Sequence, residues 1–359
     1  MTPVRQSVPR RDPGPVLVAV GAFCGTLALL LRFYVYGQLA VLPGDIEERV
    51  PLVDESATYL DTTTWETVED AEVRRTTSVD GSVRPGDTSS GAWEVSVDTA
   101  TPETVLDHTD RRVIVDRSTG RAVNCCGEHV DGDRAVRQAG LVLYWPAGAE
   151  DRDRTFYDAD IRAAPYMVLD GHENIAGVAT RRYVQRIETT QIPDSTRRVP
   201  ASALDPGRSG TVEASRWLEV RRTLWIEPVS GYLVSAAEER RETLRAETDT
   251  GERVLLEADL TMSEGSVAEH AERAENRAMV LSALRTWAPV GLGAAGVPLV
   301  LVGLVWAFPR GRRSAGRDPS RGSTEEDEEE EDEERDTAGD TAEARPATEV
   351  EDAPARSWR

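Results

Sequence analysis

Residues Arg221–Glu239 read RRTLWIEPVSGYLVSAAEE, and the spacing of their apolar side chains predicts the kind of domain that the chain builds. Leu224 and Ile226 alternate with Trp225 and Glu227, the two-residue period of a strand with one face turned inward. Pro228 to Gly231 supply a turn before the pattern resumes, so the stretch predicts a β-hairpin. The same alternation recurs on both sides. GAWEVSVDTA (91–100) sets Trp93, Val95 and Val97 against Glu94, Ser96 and Asp98, and RRVIVDRSTGRAV (111–123) predicts a second hairpin turning at Ser118, Thr119 and Gly120. Further strands are predicted in QAGLVLYWP (138–146), PYMVLDG (165–171), ATRRYVQRIE (179–188) and RVLLEADLTM (253–262). Without amphipathic helices between them, these strands predict a mainly β domain. An antiparallel curved sheet or half-open barrel is expected, rather than a doubly wound α/β fold.

Two uninterrupted apolar runs flank this pattern. PVLVAVGAFCGTLALLLRFYVY (15–36) contains one charge, Arg32, near enough to its end to reach the headgroups, and WAPVGLGAAGVPLVLVGLVWAF (287–308) contains none. Each has 22 residues, enough to cross a hydrocarbon layer of ~30 Å as a helix. The run Val16–Leu31 exceeds the apolar core of about 7–15 residues of a cleaved signal peptide, so an anchor is expected over cleavage. Arg5, Arg10 and Arg11 precede the first run, and Arg310, Arg312, Arg313 and Arg317 follow the second. The positive-inside rule then places both termini in the cytoplasm, in a two-pass plasma-membrane protein.

The expected organisation is a cytoplasmic N-terminus (1–14), a transmembrane helix (15–36), an extracytoplasmic β-rich domain (37–286), a second transmembrane helix (287–308) and a cytoplasmic tail (309–359). A helix predicted over Val267–Arg285, VAEHAERAENRAMVLSALR, would close the β-rich domain as a stalk leading into the second span. The tail carries STEEDEEEEDEERD and too little apolar surface to offset chain entropy, so disorder is expected, with no partner identifiable. The net charge of −22 argues against a nucleic-acid partner.

Concentrated chemistry is scarce. Cys125 and Cys126 adjoin Glu128 and His129, while Cys24 lies inside the first apolar run. A bond between neighbours, free thiols, bonds to another chain and metal ligation all remain open. The spacing matches no usual zinc pattern, and a structural disulfide Cys125–Cys126 is the favoured expectation in an oxidising compartment. There is no G-x-S-x-G elbow, no phosphate-cradling glycine loop and no serine partner motif for His108, His129, His172 or His270. No catalytic, cofactor or metal residue is therefore assigned. Trp93, Tyr144, Trp145, Trp217 and Trp225 either fill a core or line an apolar cavity in the mouth of the curved sheet, where a lipid or lipid-linked glycan would bind.

Four stretches, LRFYV (31–35), ATYLD (57–61), DRSTGRAVNCCGEHVDG (116–132) and LWIEPVSGYLV (224–234), resemble an actinobacterial family labelled PorA-family porin. The resemblance runs from Val16 to Phe308, with Asn-Cys-Cys-Gly as its most specific element. It implies a cell-envelope protein, with some members associated with lipoglycan assembly, and it transfers no catalytic residue. The leading expectation is a non-enzymatic, membrane-anchored domain that binds or presents a lipid or lipid-linked glycan. The alternatives are a porin or channel-associated protein and an envelope hydrolase or transferase. Strand charges such as Arg181, Arg182, Glu219, Arg221 and Arg222 conflict with the lipid-facing row of a membrane barrel, so any crossing is expected through the helices.

Overall fold

A computed structural model describes residues 13–83, 89–205, 207–247 and 251–307. The flanking arginines, Phe308 and the acidic tail lie outside the described residues. Two long helices, α1 (Gly14–Leu39) and α2 (Glu264–Ala307), are long and apolar enough to cross a membrane. They run antiparallel in close contact. A Cβ on Gly21 would fall 2.6 Å from the Gly296 carbonyl oxygen, and one on Gly303 would fall 2.8 Å from that of Gly14. The seven-residue spacing within each pair returns glycine to the seam every two turns, which lets the backbones approach.

Each helix contains one π turn, Leu31–Val35 in α1 and Ala283–Trp287 in α2, and the two meet. Arg32, expected to reach the headgroups, donates from Nη1 to the Arg285 carbonyl at 2.5 Å, and the Arg285 guanidinium lies over the Tyr36 ring. The apolar part of α2 continues without a break from its polar first half. That half begins at Glu264, three residues ahead of the predicted stalk, because the Ser263 side chain caps the Ser266 N–H and Glu264 suits the positive helix end.

Between the helices, thirteen strands among the described residues form one antiparallel sheet. They are β1 (Ile46–Leu60), β2 (Thr67–Ser82), β3 (Ser90–Ala100), β4 (Val105–Asp116), β5 (Ala122–Val123), β6 (His129–Val130), β7 (Arg154–Thr155), β8 (Tyr166–Ile175), β9 (Val178–Gln191), β10 (Arg197–Pro200), β11 (Thr211–Ile226), β12 (Leu233–Ala246) and β13 (Glu252–Thr261). The order is β5-β4-β3-β2-β1-β13-β12-β11-β9-β8-β7, with β6 paired to β4 and β10 to β11. The sheet curves into a half-barrel. The opening hairpin is β11–β12, in register at Leu224↔Ala236 and Arg222↔Glu238. Its turn is fixed by the Glu227 carboxylate, which accepts the N–H groups of Val229 and Ser230. Gly231 has a φ of +77°, and a Cβ there would meet the Trp145 carbonyl oxygen at 2.0 Å, so the turn requires glycine twice over.

The segment QAGLVLYWP is not the strand its composition predicts. Leu141 to Trp145 are five consecutive buried residues, so no face is turned to water and no alternation exists. The segment instead runs between the two free ends of the sheet. Leu141 bridges Arg121 beside β5 and Phe156 beside β7, while Trp145 donates to the Gly231 carbonyl at 3.0 Å. Both edges thereby find backbone partners that would otherwise invite another chain. Tyr144 and Trp145 enter the core, where Trp93, Tyr232, Phe156 and Tyr183 receive them at centroid distances of 4.7–6.2 Å.

The stalk half of α2 lies on β12. Ala271 and Ala274 pack against Val178 and Val234. Beside them, buried Glu48 accepts from Arg273 at 2.7 Å and from the Tyr144 hydroxyl at 2.7 Å, with His270 Nε2 at 3.2 Å. Arg277 donates to the carbonyls of Leu39, the last residue of α1, and of Val41 just beyond it. The helix pair is therefore held to the sheet at its root.

Candidate functional site

The inward face of the half-barrel is divided by chemistry. One part is the aromatic and aliphatic core. The other is a run of arginines and carboxylates that sit in phase with buried apolar residues: Arg222 with Leu224, and Glu238, Arg240 and Glu242 with Ala236 and Leu244. Arg240, fully buried, holds Asp160 at 2.8 Å, Glu238 at 3.1 Å and Glu242 at 2.7 Å. Arg222 holds Glu238 at 2.8 Å and Asp158 at 3.0 Å, Arg216 holds Glu242 and Asp107, and Arg75 holds Asp160 at 3.2 Å. Asp158 and Asp160 belong to the chain between β7 and β8, so these ion pairs tie that connection across the concave face.

Burial works against every one of these charges, and their partners decide the outcome. Desolvation raises the Glu238 carboxyl, but Arg222, Arg75 and Arg240 outweigh it and hold the group at about 2. Asp160 lies well below the usual carboxylate range despite burial, chiefly through Arg240 and Arg75. Arg216, Arg222 and Arg240 are pushed above the ordinary arginine value by their carboxylates.

Arg111 departs from this pattern. It is buried on β4, donates to Gln138 Oε1 at 3.0 Å and lies 5.3 Å from the centre of the Tyr157 ring. Burial lowers its pKa to about 10, against weaker support from Tyr157 and Asp158. It faces a cavity of about 100 Å³ lined by Val50, Leu52, Arg75, Tyr157, Arg222 and Glu238, among others. Thr109, Ala159 and Asp160 also line a neighbouring charged vestibule of about 390 Å³ that includes Arg162, Asp194 and Arg197.

The residues expected from sequence distribute differently. Trp93, Tyr144 and Trp145 lie in the core. Trp217 and Trp225 occupy the odd positions of β11, out of phase with buried Leu218 and Leu224, and face away from that core. Trp217 lies under Arg245, and Trp225 donates to Glu173. The five aromatic residues do not surround a common cavity, because the strand period separates them onto opposite faces.

Cys125 and Cys126 follow β5 with their sulfurs in contact, and Cys126 has a φ of +66°. Glu128 is engaged by Arg137 at 3.0 Å, and His129 lies in β6. Among the described residues, no group of three or more His, Cys, Asp or Glu is disposed to hold a metal. Asn124, which opens the motif, has a structural connection that sequence spacing did not reveal. Its side chain donates to the Gln138 carbonyl at 2.8 Å and accepts the Gln138 N–H at 2.9 Å, while the Gln138 side chain accepts from Arg111. The cysteine loop thus supports the residue that positions Arg111.

A protein described as porin PorA from Corynebacterium resistens is 30% identical over 121 residues, a match that spans 29% of this chain and 29% of that protein. The model of the family described as Porin PorA matches residues 13–305, from the start of α1 nearly to the end of α2, and the chain belongs to that family.

Proposed function

We propose that this is a two-pass envelope protein of the channel class, with the helix pair in the plasma membrane, both termini cytoplasmic and the half-barrel outside. Its function in this reading is to receive small hydrophilic solutes, and it performs no turnover. The observation that carries the reading is the arginine- and carboxylate-lined concave face with its charged vestibule, since a polar interior distinguishes a solute path from a lipid carrier. The strands also carry charges outward, such as Arg221 paired with Glu239, so water rather than lipid surrounds the sheet. Passage across the bilayer then falls to assembled helix pairs, and the half-barrel stands at their entrance.

A lipid or lipoglycan carrier finds no support in the cavity beside Arg111. Its volume of about 100 Å³ corresponds to about three waters, too little for an acyl chain. Planar-bilayer recording on the purified full-length protein tests the channel reading. Discrete conductance steps are expected, with selectivity shifted towards cations by Arg197→Gln in the vestibule. Absence of conductance across repeated preparations overturns it.

A further inference from the structure

The inward arginines are unequally satisfied. Arg75, Arg216, Arg222 and Arg240 each contact at least one carboxylate, whereas Arg111 contacts none among the described residues. Its recorded partners are a neutral amide and an aromatic ring. A second group in the same place is also incomplete. Tyr157 is only 2% exposed, and its hydroxyl has no hydrogen-bond partner. Leaving such a hydroxyl unmet in the interior is unfavourable, because the water it gave up on folding is not replaced. Arg111 and Tyr157 line the same cavity, together with Thr77 and Thr109.

We propose that this cavity is a binding site for a small monovalent anion, held by the Arg111 guanidinium and the Tyr157 hydroxyl. Size sets one limit. About 100 Å³ admits a halide or a short carboxylate and excludes a sugar, a nucleotide or a lipid headgroup. Charge sets the other. Arg75, Arg111, Arg216, Arg222 and Arg240 are balanced by Asp107, Asp158, Asp160, Glu238 and Glu242, so each added negative charge is uncompensated at longer range, and a divalent anion is penalised more than a monovalent one. Val50, Leu52, Val95 and Leu224 supply apolar lining, which suits the methyl end of acetate, and the carboxylates that also line the cavity, Asp158, Asp160 and Glu238, are each engaged by Arg75, Arg222 or Arg240 and not by Arg111. Arg111 is already held by Gln138, itself fixed through Asn124, so its donors are oriented before an anion arrives. Burial lowers the Arg111 pKa, and Tyr157, Asp158 and Asp160 offset it only in part.

The site does not depend on the channel reading, and its test measures binding instead of conductance. Full-length protein is prepared in gluconate, an anion too large for the cavity. Chloride, acetate and sulfate are then titrated at constant ionic strength while thermal unfolding is followed. A saturable rise in Tm is expected with chloride or acetate and not with sulfate. The half-saturating concentration should increase roughly tenfold or more in Arg111→Gln and by a smaller factor in Tyr157→Phe, as expected for losing a charged and a neutral hydrogen-bond donor. Should Arg111→Gln fail to fold, Tyr157→Phe still decides the matter. Equal responses in wild type and Tyr157→Phe, or a sulfate response matching chloride, overturn the proposal.

Discussion

Arg240 shows why the inward charges must be read as one network. It has no exposed surface and faces three carboxylates, so Arg240→Met removes one cation and leaves three buried anions short of counter-charge. Breaking a buried ionic partnership from one side typically costs about 3–5 kcal/mol, and chemical denaturation of the full-length protein should show a loss of that order. The acid response follows from the same network. Glu238 and Glu48 both have native values of about 2 against an ordinary 4.5. For Glu48, burial pushes upward, but hydrogen bonds from His270 and Tyr144 and the charge of Arg273 prevail. Because the native pKa is the lower one, the stabilisation is complete above 4.5 and is lost as pH falls towards 2. Unfolding midpoints measured across that interval should fall steeply in wild type and less steeply in Glu48→Gln. The touching sulfurs of Cys125 and Cys126 lead us to propose a bonded pair, which makes non-reduced protein two hydrogens lighter than reduced protein by intact mass. Cys126→Ser should then lower accumulation of the folded protein.

The helix pair depends on the absence of side chains at particular points, which allows a controlled comparison. A Cβ on Gly21 would collide with the Gly296 carbonyl and Val300, whereas one on Gly25, a turn later, would meet nothing within 4 Å. Gly21→Leu should therefore destabilise the paired helices by about 1–3 kcal/mol, as overpacking usually does, and Gly25→Leu should leave the melting temperature in detergent nearly unchanged. Sequence made some of these elements plain and concealed others for physical reasons. The β11–β12 hairpin was legible because one face is buried and the other wet, which writes an alternation into Arg221–Glu239. Leu141–Trp145 gave no such signal, since continuous burial looks the same in a strand as in an irregular closing segment. The candidate site was least legible. Arg222, Glu238 and Arg240 stand in the inward phase, but charge alone suggests solvent, and only the opposing carboxylates of a distant connection explain their burial. Arg111, Gln138 and Tyr157 come from three separate stretches, so no local spacing could unite them.

How these parts connect constrains the molecule's placement at a membrane. Since α1 and α2 are antiparallel, residues just after Leu39 and just before Glu264 emerge at the same end of the pair, and Arg277 fastens that end through Leu39 and Val41. The sheet from β1 to β13 consequently lies at that end, packed along the polar first half of α2 and beyond the apolar parts of both helices. We propose the direction from arginine placement. The short segments outside the two apolar runs hold Arg5, Arg10, Arg11, Arg310, Arg312, Arg313 and Arg317, a cationic bias that the proposed orientation places in the cytoplasm. A single cysteine provides the test, in a background where Cys24, Cys125 and Cys126 are replaced by serine and accumulation is confirmed. Glu103→Cys lies at the exposed connection between β3 and β4, and Ser314→Cys lies in the segment after the second apolar run. A membrane-impermeant maleimide applied to intact cells should label the first and spare the second until the membrane is permeabilised. The reverse pattern would place the half-barrel in the cytoplasm, and equal labelling of both positions in intact cells would be incompatible with two helices crossing as a hairpin.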